Sequence, residues 1–169
     1  MQVDFYLLSK DTVETALPRI AKSVKGAGER LLVVSDDARQ LTALDKALWE
    51  QVPEDFLAHG NAGEAHSARQ PLLLGHACAA ENDARMIAFA DGVWRDDAFG
   101  FERAFLFFDN RTIDAARGTL DVLISKKDLG KRKAKAPRRE PLGGVLEKYA
   151  AQVGSAHLGA VTHSGARKK

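Results

Sequence analysis

The sequence predicts an α/β domain of three layers around a mainly parallel central sheet. Three observations carry this. Short apolar runs at Phe5–Leu8, Leu31–Val34, Leu72–Leu74 and Met86–Phe89 read as strands buried on both faces. Between the first of them lie stretches of helical spacing with short links, the pattern of βαβ units. The charge is also split: the 169 residues carry a formal net charge of +2, yet residues 126–169 hold 12 Lys/Arg against 3 Asp/Glu. An acidic body is thus followed by a basic extension, which predicts a folded domain over 1–128 and a largely disordered or loosely docked segment over 129–169.

The elements follow in order. Val3-Asp4-Phe5-Tyr6-Leu7-Leu8 opens with alternation and ends apolar, as a buried strand does. Asp11 stands three residues before Glu14, which resembles a capping box with Asp in the place of Ser or Thr. Val13, Leu17, Ile20 and Val24 then recur at helical spacing up to Gly26 and Gly28, with Pro18 as an objection that predicts a kink or a later start. After the strand Leu31–Val34, Ser35-Asp36-Asp37 caps a second helix with Leu41, Leu44 and Leu48 on one face, closed by Pro53. Phe56-Leu57-Ala58 is a further short apolar run, followed by the turn-rich loop Gly60–Ser67. The reading for Phe101–Phe108 is a helix, and a last helix runs from about Thr112 to Lys127 with Leu120, Leu123 and Ile124 on one side. The whole is Rossmann-like in layout.

Its chemistry is not that of a nucleotide-binding fold. The turn after the first strand, Ser9-Lys10-Asp11-Thr12, has no glycine to admit a pyrophosphate, and it sets a carboxylate where phosphate would sit. The five histidines show no HxxxH or HExxH spacing, and His76 with Cys78 supplies only two ligands. One cysteine excludes an internal disulfide. The adjacent carboxylates Asp36-Asp37 and Asp96-Asp97 read as caps or solvated charge. The expectation is a cytoplasmic binding protein with no cofactor, no metal, no membrane segment and no catalytic residues.

Six motifs in order carry a resemblance. They are Phe5-Tyr6-Leu7-Leu8, Leu44-Asp45-Lys46-Ala47-Leu48-Trp49, Phe56-Leu57-Ala58-His59 followed by Ala62-Gly63-Glu64, Pro71–Leu74, Asn82–Ile87 and Phe101–Phe105. With these the chain resembles the chi subunits of bacterial DNA polymerase III over about residues 2 to 130. It departs from them at Ala58, where the family carries proline, and in the basic extension.

The resemblance implies a non-catalytic accessory subunit of the replicative polymerase holoenzyme with two partners. One is the psi subunit of the clamp loader. The other is the acidic C-terminal tail of single-stranded-DNA-binding protein, which ends in phenylalanine and a free carboxylate. Such a tail needs an apolar slot for the ring, a guanidinium for the carboxylate and positive charge around both. By position the resemblance implies Trp49, Phe108, Arg117 and Leu120 for that pocket, and Phe56 for psi. Trp49 also reads as a tryptophan packed at a helix end, and Phe56 equally as core. Lys131, Arg132, Lys133, Lys135, Arg138 and Arg139 are candidates for electrostatic contact with the acidic tail or with DNA, and direct nucleic-acid binding through them is the alternative function.

Overall fold

The computed structural model of the chain describes residues 1–128, apart from Lys10 and Val52. The basic run from Lys131 to Arg139 lies outside the described residues. Six strands form one sheet: β1 (Gln2–Leu7), β2 (Leu31–Val34), β3 (His59–Asn61), β4 (Leu72–Gly75), β5 (Met86–Phe89) and β6 (Arg103–Phe108). Their order is β1-β6-β5-β2-β4-β3, and every neighbouring pair is parallel. Helices α1 (Val13–Gly26), α2 (Ala38–Glu50) and α3 (Ile113–Asp128) complete the α/β domain.

Side chains alternate across each strand, so the sheet divides the core in two. Leu31 and Val33 point with Phe105 and Phe107 to the face covered by α1 and α2, where Leu17, Leu44 and Leu48 are buried. Leu32 and Val34 point with Leu106 and Phe108 to the other face, under Ala116, Leu120 and Leu123 of α3 and under Ala98 and Phe101 of the β5–β6 crossover.

Three sequence expectations change in detail. Phe101–Phe108 is not helical: β6 lies second in the sheet, and Ala104-Phe105-Leu106-Phe107-Phe108 is fully buried. A strand covered on both faces has no polar side, so its apolar run shows no alternation to distinguish it from a buried helix. The third strand begins at His59, leaving Phe56–Ala58 as a turn. Helix α1 runs through Pro18, and its N-cap is Thr12, which makes no side-chain cap. Proline leaves the Glu14 carbonyl without its intrahelical donor, and burial of Leu17, Pro18 and Ala21 against the sheet offsets that loss.

Helix α2 starts as expected, with the Asp37 carboxylate accepting from the Arg39 backbone N–H at 2.8 Å. Gly92 brings the loop after β5 against β6. It has φ +74, and a Cβ there would stand 2.9 Å from the Phe107 carbonyl oxygen. No helix among the described residues is long and apolar enough to cross a membrane.

Candidate protein-docking sites

An exposed aromatic pair lies where α2 ends and the chain turns into β3. Leu41, Leu44 and Leu48 occupy the buried stripe of α2, so Trp49, one residue beyond it, faces outward and is 48% exposed. Phe56 is 65% exposed, and its ring meets that of Trp49 edge-on at 5.8 Å. His59 stands behind the pair. Its side chain is fully buried, its ring is 4.7 Å from that of Trp49, and Nδ1 lies 2.7 Å from the Leu57 carbonyl oxygen. Nε2 approaches Asp45 Oδ1 at 3.2 Å. A buried histidine hydrogen-bonded through Nδ1 thus backs the exposed indole.

The turn that presents Phe56 is itself held from α1. The Lys25 ammonium donates to the Asp55 carbonyl oxygen at 2.6 Å and to the Phe56 carbonyl oxygen at 2.8 Å. Lys22, one turn earlier, pairs with the Asp55 carboxylate at 2.6 Å, and this bond holds the exposed Lys22 above the ordinary lysine value. The sequence reading singled out neither lysine. Contacts over 30 residues of separation leave no local pattern, and a last-turn lysine is an ordinary helix ending.

The four residues grouped by position do not form one pocket. Trp49 lies with α2, on the α1/α2 side of the sheet. Phe108 is 2% exposed and Leu120 is 6% exposed in the core on the opposite side, beneath α3. Position along the family pattern does not report which face of a sheet an element covers, so a shared pattern joined residues that the sheet separates. Arg117 does project outward from α3, where its guanidinium pairs with Asp114 at 3.0 Å and is half exposed. Val122 on the same helix is 46% exposed.

Helix α3 is entered through a tight turn. Oδ1 of Asp109 accepts from the backbone N–H groups of Arg111 and Thr112, while the Asp109 N–H donates to Thr112 Oγ1 at 3.0 Å. The Arg111 side-chain hydrogen bond, with these amides, holds the Asp109 carboxyl down at about 2. A third exposed apolar group follows β5, with Val93 51% and Phe99 42% exposed beside a half-buried Trp94.

Other polar candidates have structural occupations. His76 Nδ1 lies 2.8 Å from the Ser35 carbonyl oxygen, and Asp36 pairs with Arg95 at 2.9 Å. Cys78 is half buried, and burial pushes its thiol up. Among the described residues there is no group of three or more His, Cys, Asp or Glu side chains placed to hold a metal ion.

Residues 1–120 match the family described as DNA polymerase III chi subunit, HolC. The chain is 36% identical over 77 residues to the DNA polymerase III subunit chi of Escherichia coli, a match covering 41% of this chain and 52% of that protein. It is 30% identical over 73 residues to the corresponding subunit of Haemophilus influenzae, covering 41% and 51%. A stretch of 55 residues is 56% identical to dihydroxy-acid dehydratase 2 of Bordetella bronchiseptica, covering 31% of this chain and 10% of that enzyme. The chain thus spans about half the length of the chi relatives and one tenth of the dehydratase. The family match ends inside α3. With its motifs set in order along an α/β sheet and matched from residue 1 to residue 120, the chain belongs to the DNA polymerase III chi subunit family.

Proposed function

We propose that the protein is a non-catalytic accessory subunit of the polymerase III holoenzyme that tethers the clamp loader, through the psi subunit, to the acidic tail of single-stranded-DNA-binding protein. The observation that carries this reading is the exposed pair Trp49 and Phe56, backed by the buried His59 side chain. Two large aromatics standing in water are a binding anchor more than a folding device. Trp49 therefore goes with Phe56 to the psi side of the adaptor. Arg117, on the other side of the sheet, stays the candidate grip for the terminal carboxylate of the acidic tail. Two separate contacts suit a tether, since linking them raises effective concentration without any active site.

Calorimetry with purified psi subunit tests the first contact. Phe56→Ala is expected to abolish measurable binding, and undiminished binding would reject this placement. Fluorescence anisotropy tests the second, with a labelled acidic peptide ending in a free phenylalanine carboxylate and its C-terminal amide as control. Binding near micromolar, about −8 kcal/mol, is expected for the free acid, lost on amidation and strongly weakened by Arg117→Ala. Equal binding of both peptides would instead point to unspecific attraction by the basic segment.

A further inference from the structure

Phe56 is a bulky aromatic with φ +42, a left-handed conformation that side chains with a Cβ rarely adopt. Its surroundings explain how it stays there. Its N–H donates to the Pro53 carbonyl oxygen at 3.3 Å, and its own carbonyl oxygen accepts from the Ala58 N–H at 2.9 Å and from the Lys25 ammonium at 2.8 Å. The preceding carbonyl, of Asp55, accepts from the same ammonium at 2.6 Å. Lys25 therefore fixes two consecutive peptide planes, on either side of the Phe56 Cα. The next residue, Leu57, turns into the core at 1% exposure. The clamp divides the chain sharply: Leu57 goes in, Phe56 stands out, and the Phe56 ring meets the edge of Trp49.

A lysine in the last turn of a helix would ordinarily donate to the helix's own terminal carbonyls. Those of α1 are otherwise served, because the Ala27 N–H bonds the Ser23 and Val24 carbonyls and the Gly28 N–H bonds that of Lys25. Lys25 spends its donors on a turn 30 residues away. Lys22, three residues earlier on the same face, holds the Asp55 side chain.

Resting on the assignment of Trp49 and Phe56 to the psi contact, we infer that Lys25 is a positioning residue for that contact: it holds Phe56 ready in its outward, left-handed form before the partner arrives. Ordering the turn in the free protein removes an entropic cost from binding.

Four variants test this by calorimetry with purified psi subunit: Lys25→Met, which keeps the apolar stem and loses the donors, Lys25→Arg, Arg111→Met and Phe56→Ala. The Trp49 indole N–H resonance of each free protein is recorded as well, because it senses the Phe56 ring. Lys25→Met is expected to weaken binding roughly tenfold and to move the Trp49 signal toward its position in Phe56→Ala. Lys25→Arg, which keeps donors at the same place, is expected to restore most of both. Arg111→Met, which removes an exposed charge at the entry to α3, is expected to change neither. If Phe56→Ala binds psi normally, the docking assignment fails and the inference with it. If Phe56→Ala loses binding while Lys25→Met matches the parent in affinity and Trp49 signal, the clamp alone is overturned. Equal weakening by Arg111→Met and Lys25→Met would overturn it too, in favour of a general charge effect.

Discussion

The β6 strand and the turn before β3 use the same residue type to opposite ends. Phe105, Phe107 and Phe108 are at most 3% exposed, whereas Phe56 is 65% exposed. Nothing in the side chains explains this. β6 lies between β1 and β5 and is covered on both faces, so its phenylalanines have nowhere to go but the core. Phe56 sits in a turn whose peptide planes are fixed from α1, and that grip turns its ring away from the core that Leu57 enters. An aromatic residue belongs to folding or to binding according to the backbone that carries it.

The contrast breaks most visibly under truncation. Phe107→Ala, which removes a ring stacked on Tyr6 at 5.3 Å, is expected to cost about 3–5 kcal/mol of stability. Phe56→Ala is expected to stay within about 0.5 kcal/mol of the parent by urea denaturation. Comparable losses would show that the exposed ring is part of the core after all.

A smaller effect separates the two helix entries. Asp37→Ala removes the cap of α2 and is expected to cost about 1 kcal/mol, read from the same denaturation curves, with the Trp49 resonance unmoved. At the entry to α3 the effect is a pH dependence. Because the folded Asp109 carboxyl is held at about 2, below the ordinary aspartate value near 3.9, its contribution is complete above that ordinary value. It is lost as pH falls through the folded one. The Asp109→Asn variant should therefore show a shallower decline of melting temperature between about pH 4 and pH 2.

Gly118 tests α3 itself. A Cβ there meets nothing within 4 Å, so Gly118→Ala is expected to stabilise the domain by about 0.5–1 kcal/mol. A loss instead would mean that α3 packs more tightly around Gly118 than its open surroundings indicate.

Much of the fold was legible along the chain. The runs Leu31–Val34, Leu72–Leu74 and Met86–Phe89 are strands, and Asp37 caps α2, because burial on both faces and capping are written in neighbouring residues. The β6 run was misread as helix because a doubly buried segment loses the alternation that identifies a strand. Phe56 was named, but its exposure depends on a lysine far away in sequence. The family pattern groups Trp49 with Phe108 and Leu120, from which the sheet separates it.

The sequence by itself determined the α/β layers and the family, since both rest on short-range patterns and on ordered motifs. Tertiary structure alone decided which residues share a surface. A parallel sheet places α2 and α3 on opposite sides whatever their order in a motif, and the groups that fix Phe56 meet only once β2 and α2 have carried the chain back to α1.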